Sequence, residues 1–182
     1  YIVGSGGDRV LETSAAGGVD SILSSISFRL NARPGVRQIE NLVLTGTEHI
    51  NGTGNARDNK VVGNDGNNVL NGRWGNDSLT GGVGKDAFVF NTLPMPSNAD
   101  RILDFNATDD SIWLDAAAFA GLAPGKLAAA AFTANQTGEA ATLQHRIVYQ
   151  TGSGRLYFDA DGSGSGARVH FATLSANLSL DQ

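Results

Sequence analysis

Between residues 54 and 90 a large apolar residue returns every nine positions, as Val61, Leu70, Leu79 and Phe88, in a background rich in Gly, Asn and Asp. Nine is neither the 3.6-residue period of a helix nor a long two-residue alternation. It predicts one short strand per block, with a turn before it. The blocks GNDGNNVLN (63–71), GRWGNDSLT (72–80) and GGVGKDAFV (81–89) stand in register. Each has Gly at its first and fourth positions, and the sixth holds Asn68, Asp77 or Asp86 in turn. The preceding block, GNARDNKVV (54–62), is a decayed copy in which Arg57 replaces the fourth-position Gly and Asn59 takes the sixth place.

Upstream, residues 1–53 alternate as strands do, with Ile22, Ser24, Ile26, Phe28 and Leu30 on one face of SILSSISFRL. Turn signals at GSGGD, AAGGVD and ARPG separate the runs, and IENLVLTG leads into the repeats. These residues are expected to form irregular β coils stacked before the regular ones. After Phe90 the period ends, and RILDF, DSIWLD, RIVYQ, RLYFD and RVHFA follow as short alternating strands. Between them, residues 115–132 are expected to form one or two short helices broken at Pro124 and Gly125. The organisation expected is therefore coils over 1–53, a nonapeptide roll over 54–90 and a β-rich cap over 91–182. A cap is needed because the last coil would otherwise expose its apolar interior and an unpaired edge.

If two blocks complete one coil, Leu70 and Phe88 stack in one sheet and Val61 and Leu79 in the opposite one. One large side chain per strand contributes about 1.5 to 3 kcal/mol of burial, against an ordering cost of roughly 1 to 2 kcal/mol for each of the block's residues. Burial alone falls short, so the turns must add stability. Turns on one side of the coil stack at the strand spacing of about 4.7 to 4.9 Å, which places an ion midway at about 2.4 Å from each. Calcium takes six to eight oxygens at about 2.3 to 2.6 Å, whereas magnesium demands about 2.0 to 2.1 Å and a rigid octahedron. The spacing suits calcium. Glycine lets the turn aim its carbonyls at the ion, and the sixth-position Asp supplies carboxylate oxygen. Without metal, carboxylates stacked this closely repel, so folding is expected to wait for the ion.

Composition narrows the field. The 24 glycines and 4 prolines point to many tight turns, and a net charge of −5 argues against a nucleic-acid partner. The absence of cysteine excludes disulfides, thiolate zinc sites and cysteine nucleophiles. No apolar run approaches the length of a membrane span. The chain opens at Tyr1 without Met or a signal-peptide pattern, which predicts a piece of a longer protein.

GGVGKDAFV fits the RTX, or hemolysin-type, nonapeptide GGxGxDxUx at every defined position. GRWGNDSLT departs at Arg73, and GNDGNNVLN at Asn64 and Asn68. KDAFVFN followed by ADRILDF and DDSIWL is similar to the C-terminal region of serralysin-type RTX domains, and NLVLTGTEHINGTGN resembles the stretch that precedes such repeats. The resemblance implies an all-β fold, a right-handed parallel β-roll or β-helix. It implies a secreted, extracellular protein that leaves the cell unfolded through type I secretion machinery and folds on several calcium ions. It also implies ions between turns two blocks apart, with Asn68 paired to Asp86, Asn59 to Asp77, and Asp77 and Asp86 reaching forward to Asp100 and Asp104. Carbonyls of Gly66, Arg73, Gly75, Gly82 and Gly84 would complete the shells. The family's hydrophobic C-terminal tail is missing from LSLDQ, so the resemblance implies a chain that stops short of it.

Other signals have two readings each. DADGSG places Asp159, Asp161 and Ser163 at alternate positions, like the start of an EF-hand loop, but His170 stands where the bidentate Glu belongs. A solvated turn is the first reading and a second calcium site the alternative. His49, His145 and His170 lack the paired spacing of a zinc site and are taken as structural or solvated. No GxSxG or Walker loop occurs, so no catalytic role is assigned. Trp74, at a variable outward position, packs on a neighbouring turn in one reading. In the other it stacks on a sugar, which would make the chain a carbohydrate-binding or adhesin module with a polysaccharide partner.

Overall fold

The computed structural model describes residues 1–8, 10, 18–31 and 36–180. The turn expected at 32–35 and part of the one at 15–20 lie outside the described residues.

Short strands alternate between two sheets. In the first, β1 (Ile2–Val3), β2 (Ser21–Ser24), β4 (Asn41–Leu44), β6 (Lys60–Val62), β8 (Ser78–Thr80) and β10 (Asp100–Ile102) run side by side, every pairing parallel. In the second, β3 (Phe28–Arg29), β5 (Gly52–Thr53), β7 (Val69–Asn71), β9 (Ala87–Phe90) and β11 (Ser111–Leu114) do the same. Crossing from sheet to sheet with parallel neighbours makes the chain a β-solenoid, an all-β roll.

The register explains the nine-residue period. Ile22, Leu42, Val61, Leu79 and Ile102 are direct neighbours down the first sheet, all buried. Phe28, Gly52, Leu70, Phe88 and Ile112 form the facing column. Leu70 with Phe88 and Val61 with Leu79 therefore occupy opposite sheets, as two blocks per coil requires.

SILSSISFRL, which alternation alone draws as one strand, is two strands with a corner. The Ser24 hydroxyl donates to Ile26 O at 2.7 Å and accepts the Ile26 N–H at 3.3 Å, turning the chain from β2 into β3. Ile22 and Leu30 remain fully buried on either side because the coil bends around its own interior.

At the C-terminal end, β15 (Val169–Thr173) extends the first sheet by pairing parallel with β10. Beyond it lie β14 (Arg155–Phe158) and β13 (Ile147–Gln150), both antiparallel, and β12 (Phe132–Asn135), parallel to β13. Phe171 joins cap to coil, with Phe90 at 5.3 Å and Phe119 at 5.1 Å between ring centroids. The helices expected over 115–132 reduce to a 3-10 turn at Ala129–Ala131. Residues 116–121 turn without propagating: the N–H groups of Ala118 and Phe119 both donate to Asp115 O at 2.9 Å. Positive φ at Gly121 and Gly125, on either side of Pro124, then ends any helical run.

Candidate metal centre

The sixth residue of each block immediately precedes a strand: Asn59 before β6, Asn68 before β7, Asp77 before β8 and Asp86 before β9. All four are buried. Because a strand pairs with the one two blocks away, these residues stack in two ladders, one on each side of the roll. In one ladder the Asn59 N–H donates to Asp77 Oδ1 at 2.7 Å, and the Asp77 N–H to Asp100 Oδ1 at 3.0 Å. In the other the Asn68 N–H donates to Asp86 Oδ1 at 2.8 Å, and the Asp86 N–H to Asp110 Oδ1 at 3.0 Å.

The ladders bring together Asn59, Asp77 and Asp100, and Asn68 with Asp86, as expected. The forward partner of Asp86 is Asp110, whereas sequence reading expected Asp104. Asp104 instead accepts the N–H groups of Gly81 and Gly82, at 2.9 and 2.8 Å, and so clasps the start of the last complete turn. The signal for Asp110 was its place directly before β11. The ladder step lengthens from 18 residues to 23 because the chain between β9 and β10 adds a loop, and then to 24 because one further residue lies between β10 and β11.

Asp77 and Asp86 each use one carboxylate oxygen in the ladder and leave the other. Asp77 Oδ2 and Asp86 Oδ2 are buried with no hydrogen-bond partner; Asn71 Oδ1, a neutral oxygen in β7, is the third such atom among the described residues. Burying an unpaired carboxylate oxygen is expensive, and the usual outcomes are protonation or a cation. Burial drives the Asp77 carboxyl upward, with Asp58 adding repulsion, while the Asn59 N–H works against it. Asp100 is raised by burial and then by the charge of Asp77, and Asp86 by burial, with Asp110 and Asp104 contributing.

The first-position glycines make room for this arrangement. A Cβ on Gly72 would lie 2.1 Å from Asp77 Oδ2, and one on Gly81 would lie 2.4 Å from Asp86 Oδ2. At the second and fourth positions the backbone turns over: Arg73, Gly75, Gly82 and Gly84 all have positive φ, from 75° to 131°. Stacked turns bring carbonyls close, so that a Cβ on Gly75 would meet Arg57 O at 2.5 Å and one on Gly84 would meet Gly66 O at 2.8 Å. Arg73 O also accepts the Thr92 hydroxyl at 3.1 Å.

Among the described residues no three His, Cys, Asp or Glu side chains gather as a metal-holding group. A cation at Asp77 or Asp86 would therefore draw most of its oxygens from backbone carbonyls. That donor set, all oxygen and largely neutral, fits a hard cation of calcium's size and coordination number.

Most of the remaining candidates make local hydrogen bonds. The Asp161 N–H donates to Asp159 Oδ1 at 3.3 Å, and Asp161 Oδ2 accepts the Gly166 N–H at 2.8 Å, so the DADGSG loop closes on its own backbone. The Ser163 N–H bonds Thr142 O at 3.0 Å. His49 Nδ1 accepts the Asn67 N–H at 2.8 Å, His145 Nδ1 the Ala141 N–H at 3.1 Å, and His170 Nε2 lies 2.9 Å from Thr173 Oγ1. Trp74 stands on the 72–77 turn with 36% of its surface exposed, and Trp113 on β11 with 53%. No helix among the described residues is long and apolar enough to cross a membrane.

Residues 53–87 match the family model described as the RTX calcium-binding nonapeptide repeat, in four copies. The match takes in the decayed block at 54–62 as well as the three in register. No curated protein matches the chain. The chain carries calcium-binding RTX repeats folded as a β-roll.

Proposed function

We propose that this chain is the calcium-folded module of a longer secreted bacterial protein, exported unfolded by type I machinery and ordered outside the cell by calcium. Residues 1–53 supply leading coils, 54–90 the ion-binding repeats and 91–182 a serralysin-like cap. The observation that carries the reading is the pair of buried, unpartnered oxygens, Asp77 Oδ2 and Asp86 Oδ2, inside the matched repeats. Asp77 and Asp86 present these oxygens, Asp100 and Asp110 hold the same turns from the next coil, and carbonyls of Gly66, Arg73, Gly75, Gly82 and Gly84 lie on the stacked turns. Asn59, Asn68 and Asp104 hold those turns through hydrogen bonds. When bound, calcium supplies the positive charge that offsets the repulsion of these carboxylates and so couples binding to folding.

The support for export is chemical. Intracellular calcium is too scarce for a weak site built largely from neutral carbonyls, whereas extracellular modules work at about 10⁻⁴ to 10⁻³ M. Circular dichroism in chelator, in millimolar magnesium and in millimolar calcium tests the reading. A gain of β signal with calcium alone is expected, and an identical spectrum in all three overturns it.

The exposure of Trp74 favours a second reading, in which the roll's surface also meets polysaccharide. Glycan-array binding lost in Trp74→Ala, with calcium-dependent folding intact, would establish it.

A further inference from the structure

The four turns of the repeat region come in two conformations, and the difference lies at their second and sixth positions together. In the turns 54–59 and 63–68 both positions are asparagine, and no residue has positive φ at the second or fourth position. In the turns 72–77 and 81–86 the second position is Arg73 or Gly82, the sixth is Asp77 or Asp86, and φ is positive at both the second and fourth positions.

The asparagines complete one another. Asn64 Nδ2 donates to Glu48 O at 3.0 Å and Thr45 O at 3.3 Å, and its Oδ1 accepts the Gly66 N–H at 3.1 Å and Asn68 Nδ2 at 2.8 Å. Asn68 Nδ2 also donates to Ile50 O at 2.6 Å, and its Oδ1 takes the Asn64 N–H at 2.8 Å. The other side of the roll repeats the device. Asn55 Nδ2 reaches Ile39 O at 2.8 Å, Asn59 Nδ2 reaches Glu40 O at 3.1 Å and Ile39 O at 3.3 Å, and Asn59 Oδ1 accepts the Asn55 N–H at 2.7 Å. Carbonyls of the preceding coil thus face amide donors. One coil further on, Gly82 and Arg73 bring no such amide and the aspartates bring only acceptors, and there the unpartnered carboxylate oxygens occur.

We infer that Asn55, Asn59, Asn64 and Asn68 stand in for cations, so that the roll binds calcium only from the Asp77 and Asp86 turns toward the cap while its leading coils are closed by amides and take no ion. An amide NH₂ offers donors to the same carbonyls that a cation would gather, without any charge to neutralise. The ions are then confined to the end of the roll that meets the cap. This inference rests on the calcium reading above and fixes where in the roll that reading applies.

The test exchanges the two turn types in the full chain. Asn64→Gly combined with Asn68→Asp converts 63–68 to the acidic type, and Gly82→Asn combined with Asp86→Asn makes the reverse change. Ions bound per chain are counted by equilibrium dialysis and calorimetry with calcium alone as probe. The first variant is expected to bind one more ion than the unaltered chain and to need more calcium for its β signal; the second is expected to bind one fewer. If the first fails to fold, the second decides. Unchanged ion counts overturn the inference. An unaltered chain that binds no calcium overturns the functional reading instead, so the two failures are distinct.

Discussion

The N–H of Asp86 donates to Asp110 Oδ1 at 3.0 Å, across a step of 24 residues that spans an irregular loop. Asp110 Oδ2 meanwhile accepts the Asn106 N–H at 2.8 Å, so this one carboxylate anchors the last ladder rung and the entry to β11. Asp110→Ala is expected to raise the calcium concentration for half-folding by about tenfold or more, the equivalent of losing charge-assisted hydrogen bonds worth about 1.5 to 3 kcal/mol. Asp109→Ala is the control, since Asp109 Oδ2 only receives the exposed Asn106 side-chain amide. Calcium titrations followed by circular dichroism decide; equal shifts in the two variants would remove Asp110 from the ladder's function.

Asp77→Ala and Asp86→Ala are expected to shift the calcium midpoint far more than Asn68→Ala. The aspartates carry the unpartnered oxygens, whereas the amide of Asn68 is already bonded to Ile50 O, Asn64 Oδ1 and the Asn64 N–H. Asn68→Ala should instead lower thermal stability at saturating calcium, by about 1 to 3 kcal/mol for the stranded buried partners. Calorimetry at two calcium concentrations separates the effects: a large midpoint shift in Asn68→Ala would make its oxygen a ligand after all.

The roll itself was legible in the sequence because its period is rigid. Val61, Leu70, Leu79 and Phe88 fix both columns of the interior, and the glycines fix the turns. What was not legible came from places where the period breaks. The Ser24 corner looks like continued alternation, since residues on either side of a solenoid bend still point inward. Asp110 was missed because the resemblance points to the two acids of ADRILDF, whereas the loop between β9 and β10 and one further residue between β10 and β11 carry the partner of Asp86 beyond them. The division of labour between asparagine and aspartate was invisible for another reason: both are oxygen donors on paper, and only the direction of the Nδ2 groups shows which carbonyls are already served.

The first-position glycines are expected to be intolerant of any side chain. Gly72→Ala would place its Cβ 2.1 Å from Asp77 Oδ2, and Gly81→Ala 2.4 Å from Asp86 Oδ2, so the carboxylate must move off its position. Gly152→Ala, where an added Cβ meets nothing within 4 Å, is the comparison. Gly72→Ala and Gly81→Ala should both raise the calcium midpoint, with Gly152→Ala unchanged. A Gly81→Ala protein with the original midpoint would show that the Asp86 carboxylate does not need its place.

Acid should partly replace calcium. In the metal-free chain burial pushes the Asp77 carboxyl up to about 7, and burial together with the charge of Asp77 pushes Asp100 up to about 8, from an ordinary value of 3.8. A carboxyl with a higher pKa folded than unfolded binds its proton more tightly in the folded state. The stability this lends is complete below about 3.8, the unfolded value, and is lost as pH rises through the folded values near 7 and 8. In chelator, therefore, residual β structure is expected to be greater near pH 6 than near pH 9. Calcium binding runs the opposite way, because the ion must displace those protons, so the calcium midpoint should fall as pH rises over the same window. Asp100→Asn removes one of the two titrating groups, the one on which the charge of Asp77 acts, and should flatten both dependences. The check is a set of calcium titrations by circular dichroism across this range, with the buffers matched in ionic strength because surface charges are screened by salt. A midpoint independent of pH in the unaltered chain would mean that Asp77 and Asp100 are not the groups from which calcium displaces protons.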